Sequence, residues 1–213
     1  MKSGKHYALN FLIVALLLVA FYLWFNQSLK QQTLKNYSKY KIQEALFTAD
    51  CTIAVKIKDE TLSLKTGYQD LGISCLDPKF IVKISPSGKY LAHVDIAGSA
   101  PQLRTFFTEK TKYPTSDVFL TFPPDTDYDF SLLPGDKLAV LTRATATIPA
   151  KLTVYDLPLS YKNYPNVFNT QTIVQEQNFP KSASTYWYVE TVDKTSIRIL
   201  DKNKVPLAQI KLN

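Results

Sequence analysis

Asp125-Thr126-Asp127-Tyr128-Asp129 sets three carboxylates two residues apart, the densest acidic cluster in the chain, directly after Pro123-Pro124. That spacing suits the oxygen-rich cage of a calcium loop, and Asp136 falls where a twelfth-position ligand belongs. Phe130, however, occupies the sixth position, where such a loop needs glycine, and the residues after it alternate like a strand. A solvated turn leading into a strand is therefore the expectation, and no metal ligand is assigned. His93 and Asp95 form the second constellation. They share one face of an alternating segment with Leu91, which reads as a polar strand face, either solvated or packed between sheets. His6 is the other histidine, and no G-x-S-x-G elbow, H-E-x-x-H pair, phosphate-cradling glycine loop or dinucleotide fingerprint accompanies them. Ser87-Gly88-Lys89 lacks the spacing of a phosphate loop. No catalytic residue and no cofactor are assigned, and the chain is not expected to be an enzyme.

Two further groups of side chains could serve recognition or stability. Cys51 and Cys75 lie too far apart for a redox or zinc motif. Either they form a bridge suited to an oxidising compartment or they are two buried thiols. Tyr186-Trp187-Tyr188 is the richest aromatic cluster outside the N-terminal region. On a strand it shows Tyr186 and Tyr188 on one face and Trp187 on the other, for a glycan, a protein partner or a neighbouring sheet.

The element that places all of these is Tyr7–Phe25, nineteen residues whose strongly polar member is Asn10. As a helix it covers roughly 28 Å, against a hydrocarbon core of about 30 Å. Its length, its aromatic end (Phe21, Tyr22, Trp24, Phe25) and the lack of a small-residue cleavage site favour a retained signal anchor over a cleaved leader. Lys2 and Lys5 precede it, and Lys30, Lys35, Lys39 and Lys41 follow, so the positive-inside rule is close to balanced. The very short tail favours an inside N-terminus and an exported domain. The expected organisation is a tail over 1–6, a transmembrane helix over 7–25, a helical stalk over 26–48 and a β domain over 49–213. Two Asn-x-Ser sequons, at Asn26 and Asn36, lie on the stalk, a frequency that chance alone supplies.

The net charge of +7 comes from 25 basic and 18 acidic residues. The basic residues are scattered singly rather than clustered, and few are arginine, which argues against a nucleic-acid partner. After Asp50 the hydrophobic pattern turns to alternation. In Lys79–Ile96, Phe80, Val82 and Ile84 share one face, Ser85-Pro86-Ser87-Gly88 forms a turn, and Tyr90, Ala92, Val94 and Ile96 resume. About fifty residues on, Tyr128, Phe130 and Leu132 lead through Leu133-Pro134-Gly135-Asp136 to Leu138–Leu141 and then Lys151–Leu157. A third copy runs from Ser184 to Glu190, Ser196 to Leu200 and Val205 to Leu212. Cys51–Lys56 and Thr61–Lys65 stand as an incomplete first unit. Lys112–Ser116 and Leu157–Pro180 are expected to be irregular, Pro-rich connections of the kind that often carry binding surfaces. A period of this length with several strands per unit is what propeller blades leave in a sequence.

Ile84-Ser85-Pro86-Ser87-Gly88-Lys89-Tyr90-Leu91-Ala92 resembles the hairpin of TolB-type and prolyl-oligopeptidase-type β-propeller blades. Leu133-Pro134-Gly135-Asp136-Lys137-Leu138-Ala139, with Leu152–Leu157 after it, is similar to the same hairpin and its following strand. Ser87 stands where that family has Asp, and the second copy sets its Pro and Gly side by side. The resemblance implies meander sheets, mainly β, in an open or incomplete propeller of about three and a half units, with a β-sandwich as the alternative fold. The expected function is a membrane-anchored, extracytoplasmic binding or assembly module with a protein partner. A pilin-like structural or secretion-system subunit is the first alternative and a hydrolase-associated domain the second.

Overall fold

The computed structural model describes residues 13–25, 39–77, 80–97, 100–108, 117–124, 126–145, 148–162, 171–179 and 186–212. Residues 13–25 are helical (α1), and the rest is mainly β, in four antiparallel sheets that follow the chain in order. The first sheet holds β1 (Ile42–Phe47), β2 (Ile53–Ile57) and β3 (Glu60–Leu64). The second holds β4 (Val82–Ile84), β5 (Tyr90–Ala97), β6 (Ala100–Phe107) and β7 (Asp117–Thr121). The third holds β8 (Tyr128–Leu133), β9 (Lys137–Thr142), β10 (Lys151–Asp156) and β11 (Thr172–Asn178). The fourth holds β12 (Tyr188–Thr191), β13 (Ser196–Leu200) and β14 (Pro206–Lys211). Each is an antiparallel meander, and among the described residues the sheets do not join into a barrel.

Turn chemistry sets the hairpins. Gly88 takes φ +74°, its N–H donates to the Ser85 carbonyl at 2.8 Å, and Ser85 N–H in turn reaches Tyr90 O at 2.8 Å. Gly135 (φ +76°) and Asp136 (φ +56°) repeat the left-handed turn between β8 and β9, a region that glycine enters without a Cβ penalty.

Three apolar cores lie between consecutive sheets. Ile42, Phe47, Ile53, Val55 and Leu64 meet Leu91 and Phe106 between the first and second sheets. Tyr90, Leu103 and Phe107 meet Phe130, Leu138 and Tyr155 between the second and third. Leu141, Leu152 and Val154 meet Val189, Ile197 and Ile210 between the third and fourth. The two middle sheets are therefore covered on both faces. Four sheets in a row with three cores replace the two-sheet sandwich that stood as the alternative.

The strands that begin the last three sheets run the same way. Asp129 and Ser131 of β8 meet Val189 and Thr191 of β12 in parallel register. Phe122, whose N–H donates to Pro101 O where β5 and β6 meet, stacks on Tyr128 at the start of β8, with centroids 3.9 Å apart. At the far end Tyr161 packs on Tyr90 and Phe107. β1 is reversed: Ile42 N–H donates to Gly88 O, past the end of β4, while the Phe47 ring meets Phe80, before its start. The stack thus has a hairpin end, with the turns at Lys58-Asp59, Gly88, Gly135 and Asp193, and an opposite strand-start end.

Three expectations need correction. The helical stalk over 26–48 does not hold at its C-terminal end, where Ile42–Phe47 is a strand, so the β region begins at Ile42 rather than residue 49. A bulge between Ile42 and Glu44 sets the buried Ile42 and Phe47 five residues apart, which hides the period of two; residues 26–38 lie outside the described residues. The stretch Leu157–Pro180 is not irregular throughout. It holds a short helix, α2 (Leu157–Tyr161), capped by Asp156, whose carboxylate accepts from Leu159 N–H at 2.8 Å, and then β11. Among the described residues β11 pairs with β10 alone, and its mostly polar, exposed side chains left no alternation to read. The count of three and a half units becomes four sheets, because β6 and β7 complete the second and β1 opens the first. Among the described residues no helix is long and apolar enough to cross a membrane; the expected span of 7–25 is described only from residue 13, and residues 7–12, Lys112–Ser116 and Ser184 lie outside the described residues.

Candidate functional site

Of the polar side chains singled out from the sequence, His93, Asp95, Asp127 and Asp129 lie toward the strand-start end, where the first strands approach one another. Asp129 is buried. Its Oδ2 accepts from Val189 N–H at 2.8 Å, and its Oδ1 lies 3.8 Å from Lys83 Nζ. Lys83 also donates to the Phe130 carbonyl and sits 4.8 Å over the Phe130 ring. One carboxylate thereby ties β4, β8 and β12 together. Burial pulls the Lys83 amine below the ordinary lysine value, and the Asp129 carboxylate opposes that shift.

Asp127 diverges from Asp129. It is exposed, its Oδ2 lies 3.4 Å from Arg143 Nη1, and its backbone carbonyl accepts from Arg143 N–H at 2.8 Å. The Arg143 guanidinium lies 4.2 Å over the Trp187 ring, and its Nε–H donates to Trp187 O at 3.3 Å. Tyr188 stands 5.9 Å from the same cation. Tyr186 turns elsewhere, packing edge-on against Phe179. The aromatic triplet is therefore divided between a cation–π shelf and the core between the third and fourth sheets. Asp125 lies outside the described residues, and among the described residues no three His, Cys, Asp or Glu side chains gather in a way that could hold a metal ion. Asp136 is eleven residues from Asp125 in sequence and lies in the hairpin turn after β8, away from Asp127.

His93 and Asp95 do come together, inside the protein. His93 is fully buried against the Phe47 ring, and its Nδ1–H donates to Val94 O at 2.9 Å. Burial holds the imidazole well below its ordinary value; the Val94 carbonyl and Asp95 oppose this, and Arg104 adds to it. Asp95 Oδ1 accepts from Gly67 N–H at 2.7 Å and Ile96 N–H at 2.8 Å, while Oδ2 lies 3.6 Å from Arg104 Nε. This face packs between sheets and is not solvated. A proton-transfer role would need access that the packing denies.

Asp95 fastens one end of the β3–β4 connection, and the bridge between Cys51 and Cys75 fastens the other. Between them the Tyr68 ring stands edge-on to Phe80 at 4.8 Å. Its hydroxyl is pushed up to about 12 by burial first and Asp95 second. Tyr128 is pushed up too, by burial and then by Tyr68 and Asp95; its hydroxyl is buried with no hydrogen-bond partner among the described residues.

Lys83, Arg143, Tyr68 and Tyr128 were not singled out in the sequence as site residues. Lys83 reads as the solvent side of a half-buried strand, and only a third sheet covering that side shows its role.

No protein-family model matches the chain, and no curated protein matches it. Two solved structures are similar to it in part. The Pseudomonas aeruginosa periplasmic gluconolactonase PpgL aligns at a TM-score of 0.28 and 10% identity, over 82% of this chain and 55% of that one. A eukaryotic initiation factor aligns at a TM-score of 0.27 and 14% identity, over 80% and 52%. The chain spans about half the length of these two structures. At such TM-scores neither likeness says what the chain does.

Proposed function

We propose that this chain is a membrane-anchored, extracytoplasmic binding or assembly module, whose four-sheet stack engages a partner protein rather than turning over a substrate. The observation that carries this reading is the surface of α1. All eleven of its large apolar side chains, from Ile13 to Phe25, are between 46% and 65% exposed, on every side of the helix. In the sequence, residues 7–12 are apolar apart from Asn10. A helix apolar all round, with its large side chains exposed among the described residues, suits lipid, where its backbone groups are satisfied internally. The Cys51–Cys75 bridge supports an oxidising compartment for the sheets. The hydrogen bonds committed to Asp95 and Asp129, and the ion pair of Asp127 with Arg143, favour holding and recognition over proton transfer.

Protease added to spheroplasts tests the orientation, and carbonate washing tests the anchor. The expected result is digestion of the β region from outside, with the N-terminal fragment kept in the membrane. Full protection of the β region would overturn export, and release by carbonate would overturn anchorage. Crosslinking in intact membranes, read by mass spectrometry, tests the partner; self-links alone would replace it with a homo-oligomer.

A further inference from the structure

We infer that the hairpin end of the stack is seated on anionic lipid headgroups, with the strand-start end turned away from the bilayer. The inference rests on the anchor reading above and adds to it a face and a lipid chemistry.

The first observation is where the chain joins the stack. Ile42 N–H donates to Gly88 O at 2.7 Å, and a Cβ on Gly88 would stand 2.7 Å from Lys41 Cβ, so no side chain fits between them. Lys58 Nζ lies 5.0 Å over the Tyr40 ring. Tyr40–Ile42 are therefore held at the hairpin corner of the first two sheets. Thirteen residues, 26–38, connect this corner to α1. They reach about 20 Å as helix and about 45 Å when extended, while a six-residue strand spans about 20 Å. Length alone lets the stack turn either end to the membrane, so surface chemistry must choose.

Charge makes that choice. Among the described residues the hairpin end exposes Lys39, Lys41, Lys58, Lys89, Lys162, Lys194 and Lys211 against Asp59, Glu60, Glu190 and Asp193. Closer in, half-buried Lys137 stands with Asp117, Asp136 and Asp156, of which Asp156 is occupied in capping α2. The strand-start end exposes Lys65, Lys202 and Lys204 against Asp50, Asp77 and Asp127. An anionic surface attracts the first end and gains nothing from the second. Leu159 and Val192, exposed beside Lys162 and Lys194, add apolar contact of the kind an interface accommodates.

The test uses the full chain in nanodiscs of phosphatidylcholine, with and without phosphatidylglycerol, and follows lysine acetylation by mass spectrometry. In the anionic discs Lys41, Lys58, Lys162 and Lys194 should label about fivefold more slowly than in the zwitterionic discs, and about 1 M salt should restore the rate. Lys65, Lys202 and Lys204 should label equally in both. The paired variant Lys162→Glu with Lys194→Glu should weaken protection of Lys41 and Lys58 while leaving the sheet spectrum unchanged. Equal labelling of the hairpin-end lysines in both discs, or protection of Lys65, Lys202 and Lys204 instead, overturns the inference while leaving the anchor intact. Failure of the chain to stay with the discs removes the anchor reading, and this inference with it.

Discussion

Asp129 in β8 accepts a hydrogen bond from the backbone N–H of Val189 in β12 at 2.8 Å, across sixty residues of sequence. The contact joins two parallel strands of different sheets, and the other carboxylate oxygen faces Lys83 in a third. A single acidic side chain thus holds three sheets in register around a low-dielectric junction, where an unpaired group is costly.

Asp129→Ala should destabilise the fold by about 3 kcal/mol, since it strands both the Val189 N–H and the Lys83 amine. Asp129→Asn keeps an oxygen acceptor and loses the charge, and should cost about 1 to 2 kcal/mol. Urea denaturation followed by tryptophan fluorescence ranks the two, and equal costs would show that the acceptor for Val189 N–H contributes nothing beyond the charge facing Lys83.

Gly67 and Gly72 should respond very differently to alanine. A Cβ on Gly67 would fall 2.0 Å from Ile96 O, so the loop must move and give up the Gly67–Asp95 hydrogen bond; about 3 kcal/mol is expected. Gly72 has open space around its missing side chain and a φ of +62°, so its alanine variant bears only the left-handed backbone cost, about 1 kcal/mol. Thermal unfolding of the pair reads the difference.

Removing the Cys51–Cys75 bridge, whose partners are 24 residues apart, should cost about 3 kcal/mol in the chain-entropy model. Limited proteolysis of Cys75→Ser should then cut first within 65–77, the connection the bridge fastens. Cleavage elsewhere first would show that Asp95 and the Tyr68 ring hold this loop without it.

Acid should weaken the fold through His93. Its folded value lies below the unfolded 6.5, so the unfolded chain takes up the proton first. Stability is fully present above 6.5 and declines as pH falls from there toward the lowered folded value, by at most about 1.4 kcal/mol per pH unit. Asp50 and Asp193, whose carboxyls are held low by hydrogen bonds from Thr48 and Ser196 respectively, add a loss in the same direction at more acid pH. Urea midpoints measured from pH 7 to pH 5 should fall in the wild-type protein and stay nearly level in His93→Gln.

The residues themselves determined the strand-and-turn grammar of this protein. Alternation around Ser85–Gly88 and Leu133–Asp136 predicts hairpins, because period two and a left-handed glycine are local properties, and β4–β5 and β8–β9 follow. Local pattern fails wherever a neighbour from another sheet intervenes. The bulge in β1 and the single pairing partner of β11 hid both strands, and the two faces of β4 and β5, one bearing Lys83 and the other His93 and Asp95, look wet because their cover comes from distant segments. Only the tertiary structure paired Cys51 with Cys75, split Asp127 from Asp129, and divided Tyr186 from Trp187 and Tyr188. Those outcomes depend on how whole sheets stack, and stacking is set by the summed burial of three cores rather than by any short run of residues.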